Sequence, residues 1–193
     1  MAMAQAGSAP EREELDELTL RRAQRGEPSA CRDLVVCYQQ QVFAFLSRTL
    51  SIARADLVED VAQETFLAVF RSLPKFTPQG RARLSSWILT IASRRAIDAM
   101  RKMPPVHVPL DGAMVAGASS ASDSAERSAI AGAIRKALDG LTPEYRAAFV
   151  LWTFHDMDYQ AIAVALGIEV GTVKSRMARA RSRLRASLEE LRA

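Results

Sequence analysis

Three groups of side chains have the types and spacing to act on another molecule. The densest is basic: from Val170 to Arg185, sixteen positions hold Lys174, Arg176, Arg179, Arg181, Arg183 and Arg185 and no acid. Solvated helical faces ordinarily mix signs and gain i,i+4 pairs, whereas this run tolerates repulsion of roughly 0.2–0.5 kcal/mol per like-charged pair. Such a stretch suits a polyanion; a membrane-surface helix would need bulkier apolar anchors than it carries. The second group is Arg81, Arg83, Arg94, Arg95, Arg101 and Lys102, which share residues 81–102 with one acid, Asp98, and with Trp87. An indole beside phosphate-neutralising charge meets the needs of a separated nucleic-acid strand, because an unstacked base requires a replacement stack. The same indole could instead pack in a core with Ile88 and Ile91. The third group is acidic: Asp60, Gln63 and Glu64 stand at i, i+3 and i+4 beside Glu59, on one helical face suited to docking a basic protein surface.

Catalytic constellations are not among them. The carboxylates near Asp60 have no neighbouring His or Cys to complete a metal site. His107 and His155 are isolated, and Cys31 and Cys37 lie six apart on one predicted helix without a CxxC clip. No nucleophile has an adjacent base. The expectation is a binding protein, not an enzyme, with no catalytic residue, metal or cofactor.

The 193 residues, 49% hydrophobic, allow one generous core or two small ones, and the net charge of +4 conceals uneven placement. Acids crowd the N-terminus at Glu11, Glu13, Glu14, Asp16 and Glu17. No apolar run approaches the roughly 18 residues of a membrane span, and the opening "MAMAQAGSAPEREEL" has no apolar signal core. Membrane insertion is therefore not expected, and the cytoplasm is the expected location.

Helical periodicity dominates and predicts an all-α chain of two small helical domains. After a tip at 1–11 that is expected to be disordered, a first helix over "REELDELTLRRAQRG" would pack Leu15 and Leu18. A second would bury Leu34, Val35, Tyr38, Val42, Phe45 and Leu46. A third, "ADLVEDVAQETFLAVFRSL", would bury Val61, Phe66, Leu67, Val69 and Phe70 and stop at Pro74. The fourth, Ser85 to Lys102, closes a domain at 12–103, since Pro104 disfavours helix in the residue before it. Residues 104–125, rich in Pro, Gly, Ala and Ser, read as a flexible linker with a reach on the order of 70 Å at about 3.3 Å per residue. The second domain, 126–193, holds a helix opened by Thr142 and Pro143, then "DYQAIAVAL" capped by Asp158 and ended by Gly167, then a helix after Gly171.

A short helix, the turn "GIEVG" and a helix with mixed basic and apolar positions outline a helix-turn-helix. Val173, Met177, Ala180, Leu184, Leu188 and Leu191 step by three or four and form the core side. Lys174, Ser175, Ala178 and Arg179 fall on another side near the helix N-terminus, where a recognition helix meets base edges, with Thr172 near a phosphate. Arg181, Arg183 and Arg185 lie further along, toward phosphates or partner acids.

"EDVAQETFLAVFRSLPKF", "SSWILTIASRRAIDAMRK" and "LTPEYRAAFVLWTFHDMDYQAIAVALGIEVGTVKSRMARAR" occur in that order around the linker. In this the chain resembles the extracytoplasmic-function sigma factors, over about residues 12–188. The resemblance implies a specificity subunit of core RNA polymerase that directs promoter-specific initiation. Asp60, Gln63 and Glu64 would dock the β′ clamp, and the linker would pass through polymerase, whose β subunit is a further contact. Arg81, Arg83, Trp87, Arg94, Arg95, Arg101 and Lys102 would hold the melted minus-10 strand of promoter DNA. Thr172, Lys174, Ser175, Ala178 and Arg179 would meet the minus-35 duplex, and an anti-sigma factor would silence the protein. Two positions depart from the family: Leu84 stands where an aromatic is frequent, and Arg94 where Asn is frequent, which leaves base identity at the minus-10 element open. The rival readings are a stand-alone helix-turn-helix regulator, whose sensor domain is not evident here, and a polymerase adaptor that does not read DNA.

Overall fold

Each helix begins and ends where local chemistry directs. The computed structural model describes residues 14–50, 55–77, 83–102 and 123–190. The expected tip and nearly all of the expected linker, together with Arg81, lie outside these residues. Helix α1 (Glu17–Gln24) starts where the Asp16 carboxylate accepts the Thr19 N–H at 2.9 Å, which satisfies an orphan donor of the first turn. It ends before Gly26, whose φ of 79° favours a residue without Cβ. Because the helix has only eight residues, its packed stripe is Leu20 and Ala23, and Leu18, expected to pack, is 67% exposed. Leu15 precedes the helix and donates its N–H to the Tyr38 hydroxyl at 3.0 Å.

Helix α2 (Pro28–Thr49) uses Pro28 in its first turn, where a missing N–H costs nothing. Leu34, Tyr38, Val42, Phe45 and Leu46 are buried as expected, and Val35 is half-buried. Helix α3 (Leu57–Ser72) runs into a short 3-10 turn at Leu73–Lys75, where Pro74 falls. It buries Val61, Ala62, Thr65, Phe66 and Val69. Leu67, expected in that core, is 55% exposed, because it falls one position outside the Ala62–Phe66–Val69 stripe. Helix α4 (Leu84–Lys102) packs on α2 and α3 through Leu84, Ile88, Leu89, Ala92 and Ala96.

The second half consists of α5 (Asp123–Asp139), α6 (Pro143–His155), α7 (Tyr159–Leu166) and α8 (Val170–Glu190). Among the described residues there is no strand. Asp158 caps α7 by accepting the Ala161 N–H at 2.7 Å, and Gly167 ends it with φ 65°. Helix α8 begins at Val170, before Gly171 and not after it as expected, since the Thr172 and Val173 N–H groups already donate to the Glu169 carbonyl.

The two halves are packed together. Helix α6 rests on α2 and α4, and α7 on α4, so their apolar residues form one continuous core. Arg146 sits within this junction with its side chain 3% exposed, 2.9 Å from Asp139 Oδ1. Its guanidinium also donates to the Thr49 carbonyl at the end of α2 at 3.2 Å and to the Asp139 carbonyl at 2.8 Å. Burial pushes the Arg146 pKa down, and the Asp139 charge opposes that shift. His155 is buried edge-on to Phe45, with ring centres 5.7 Å apart, so it serves the packing between α6 and α2.

Candidate nucleic-acid interface

Helix α8 is divided lengthwise. Val173, Met177, Ala180 and Leu184 are buried against α6 and α7 or α5. Lys174, Ser175, Ala178 and Arg179 are exposed on the outer side, with Thr172 half-buried at the helix start. The Ser175 hydroxyl donates to the Thr172 carbonyl at 2.9 Å. A small Ala between Lys and Arg leaves the backbone free to approach a groove closely while two cations reach past it.

Two other arginines of the run, Arg181 and Arg183, lie over aromatic rings of α6. Arg181 lies 4.5 Å above the Trp152 ring and donates to the Tyr159 hydroxyl at 3.2 Å. On the opposite flank Arg183 lies 5.4 Å from the centre of the Tyr145 ring, and Arg179 donates to the Tyr145 hydroxyl at 3.0 Å. The physical reason is that guanidinium planes stack on aromatic faces while α6 runs alongside α8.

The α4 group is spread along some 27 Å of helix, from Arg83 to Arg101 at about 1.5 Å per residue. Arg83 is exposed just before α4, and its carbonyl accepts the Trp87 N–H at 3.1 Å. Trp87 is half-buried and tilted against Phe76, with ring centres 4.7 Å apart, so the indole helps pack the turn between α3 and α4. Arg95 is half-buried and Lys102 exposed. Arg94 and Arg101 reach the other half: Arg94 Nε donates to the Ala165 carbonyl at 3.4 Å, and Arg101 pairs with Glu144 at 2.8 Å.

On α3, Asp60, Gln63 and Glu64 are all exposed, and so is Leu67. Spacings of four and seven put Leu67 on their stripe, giving an acidic face with an apolar residue at its C-terminal end.

The family model for sigma-70 region 2 matches residues 34–103, and that for sigma-70, region 4 matches residues 131–184. The ECF RNA polymerase sigma factor SigE of Mycolicibacterium smegmatis is 34% identical over 131 residues, which is 66% of this chain and 50% of the relative. RNA polymerase sigma factor CarQ of Myxococcus xanthus is 30% identical over 172 residues, 89% of this chain and 97% of the relative. The chain belongs to the extracytoplasmic-function sigma factors. The fold agrees: sigma factor RpoE of Bartonella quintana, solved with the anti-sigma factor NepR, is similar with a TM-score of 0.61 at 24% identity, covering 82% of this chain and 96% of that one.

As a sigma factor the protein directs promoter-specific transcription initiation with RNA polymerase. Members of the family are initiation factors that catalyse no reaction themselves. Two residues of this sigma factor escaped sequence reasoning. Glu144 and Tyr145, in the first turn of α6, touch α4 and α8 respectively. Their signal was present in "TPEYR", a helix start with Pro143 in its first turn that offers an acid and a phenol, but their partners are 43 and 34 residues away. No helix is long and apolar enough to cross a membrane among the described residues.

Proposed function

We propose that residues 12–103 of this sigma factor form the polymerase-docking and minus-10 unit, that the minus-35 unit starts with α5 and so takes in residues 123–125 of the expected linker, and that 104–122 link the two through polymerase. Asp60, Gln63 and Glu64 dock the β′ clamp. Lys174, Ser175, Ala178 and Arg179 meet base edges of the minus-35 duplex in the major groove, and Thr172 a phosphate. Arg81, Arg83, Arg95 and Lys102, with Arg94 and Arg101 once released, neutralise the melted minus-10 strand, and Trp87 supports that surface mainly through its packing. The observation that carries this reading is the division of α8 into a buried apolar side and an exposed Lys174–Arg179 side at its N-terminal end.

Arg94 and Arg101 make contacts across the junction, and opening of the halves on polymerase would free both for the strand. The protein acts in the cytoplasm without enzymatic activity of its own. A partner of the class seen with the similar RpoE, an anti-sigma factor, would cover these same faces. Co-purification with core polymerase and sequencing of the DNA selected tests the reading. The expected result is an upstream and a downstream motif at fixed spacing; a chain that fails to co-purify, or DNA without a shared motif, would refute it.

A further inference from the structure

The flanks of α8 are not equivalent, and one of them holds a base-reading candidate in place. Arg179 is exposed, yet its Nη1 donates to the Tyr145 hydroxyl at 3.0 Å. Arg183, one helical turn on, lies 5.4 Å from the same ring. Tyr145 thus meets two arginines of α8, one at its hydroxyl and one over its ring. It is half-buried, with its backbone fixed in the first turn of α6. The neighbouring Glu144 and Arg146 fasten that turn to α4 and to the end of α2. An arginine on a mobile stem loses rotamer freedom when it meets a base, and a partner that has already fixed it removes part of that cost.

We propose that Tyr145 is a positioning residue for minus-35 recognition, holding the Arg179 guanidinium ready for a base edge. The proposal rests on the assignment of α8 as the duplex-reading helix. The bond to Tyr145 uses one N–H of Nη1, and the guanidinium retains enough donors for a bidentate contact with a guanine edge. Arg179 also lowers the Tyr145 pKa, chiefly through this hydrogen bond, in keeping with a phenol oxygen that acts as acceptor. Arg183, 5.4 Å from the ring centre, packs beside the same phenol. Tyr145 itself need not touch DNA.

The test uses full-length protein assembled with core polymerase and a duplex library randomised over the upstream element. Tyr145→Phe removes the hydroxyl and keeps the ring under Arg183. It should lower discrimination at the single base pair read by Arg179 by about three- to tenfold, the range of one hydrogen bond, and leave the other positions unchanged. In an Arg179→Ala background Tyr145→Phe should have no further effect. Circular dichroism melting of each variant separates loss of fold from loss of positioning, because a merely structural role would weaken all positions equally. An unchanged Tyr145→Phe selection profile, or an equal effect with and without Arg179, overturns the positioning role while leaving the minus-35 assignment intact. If Arg179→Ala itself leaves upstream selection unchanged, the assignment of α8 fails, and the role of Tyr145 fails with it.

Discussion

Arg101 of α4 donates two hydrogen bonds to one oxygen of Glu144 in α6, at 2.8 and 3.1 Å, and so ties a strand-binding candidate to the half of the protein that carries α8. The pair is 61% and 23% exposed, so its contribution is on the order of 0.5 kcal/mol. Its importance lies in position: a cation that bridges the two halves is one proposed to neutralise the promoter strand.

Glu144→Gln should shift the free protein toward an open arrangement, seen as a longer distance between fluorophores placed on α3 and α8. Burial acts to raise the Glu144 pKa, but the Arg101 hydrogen bonds and its own backbone N–H outweigh burial and leave it below the ordinary 4.5. A depressed carboxylate stabilises the closed form above its unfolded value and loses that contribution as pH falls through the folded value. Closure should therefore weaken below about pH 4.5 in the native protein, and the Gln variant should lack this step.

Removing Arg146 should be costly. Its guanidinium is buried among Asp139, its carbonyl and the Thr49 carbonyl, and a change to Ala removes the donor that these acceptors share. The expected loss is about 3 kcal/mol of unfolding free energy, measured by urea denaturation. A change at exposed Arg185 should stay within about 0.5 kcal/mol.

The acidic face of α3 gives a third outcome. Leu67→Asp should leave stability within about 0.5 kcal/mol, because the side chain is 55% exposed. It should weaken association with core polymerase about tenfold if Leu67 is the apolar contact of the docking face. Titration of labelled sigma factor against core enzyme reads both this variant and Asp60→Asn.

The arginines of α8 should separate by role. Arg181→Ala removes the contacts with Trp152 and Tyr159 and should cost about 0.5–1 kcal/mol of stability. Arg185→Ala should instead reduce the salt slope of duplex binding by about one unit, as expected for one lost phosphate contact. A salt titration of holoenzyme binding distinguishes the two.

These contrasts show which features the sequence makes legible. Asp158 and Gly167 bracket α7 through cap chemistry that depends on neighbours three residues away, and Val173, Met177, Ala180 and Leu184 mark the core side of α8 by spacing alone. Leu18 and Leu67 were misplaced because an apolar side chain at the margin of a short or broad stripe has no local signal for which way it turns. The packing of the two halves was not legible at all. Arg94–Ala165, Arg101–Glu144 and Arg146–Thr49 join residues 71, 43 and 97 apart through polar contacts that leave no periodicity in the chain.

The central claim is that α8 chooses the upstream element for polymerase bound through α3. Transcripts from a randomised template library, made by core polymerase with the native protein and with Lys174→Ala/Arg179→Ala, test it most directly. The native protein should select paired upstream and downstream motifs. The double variant should lose the upstream motif and still bind core enzyme with native affinity. A double variant that selects the same upstream motif as the native protein would contradict the account.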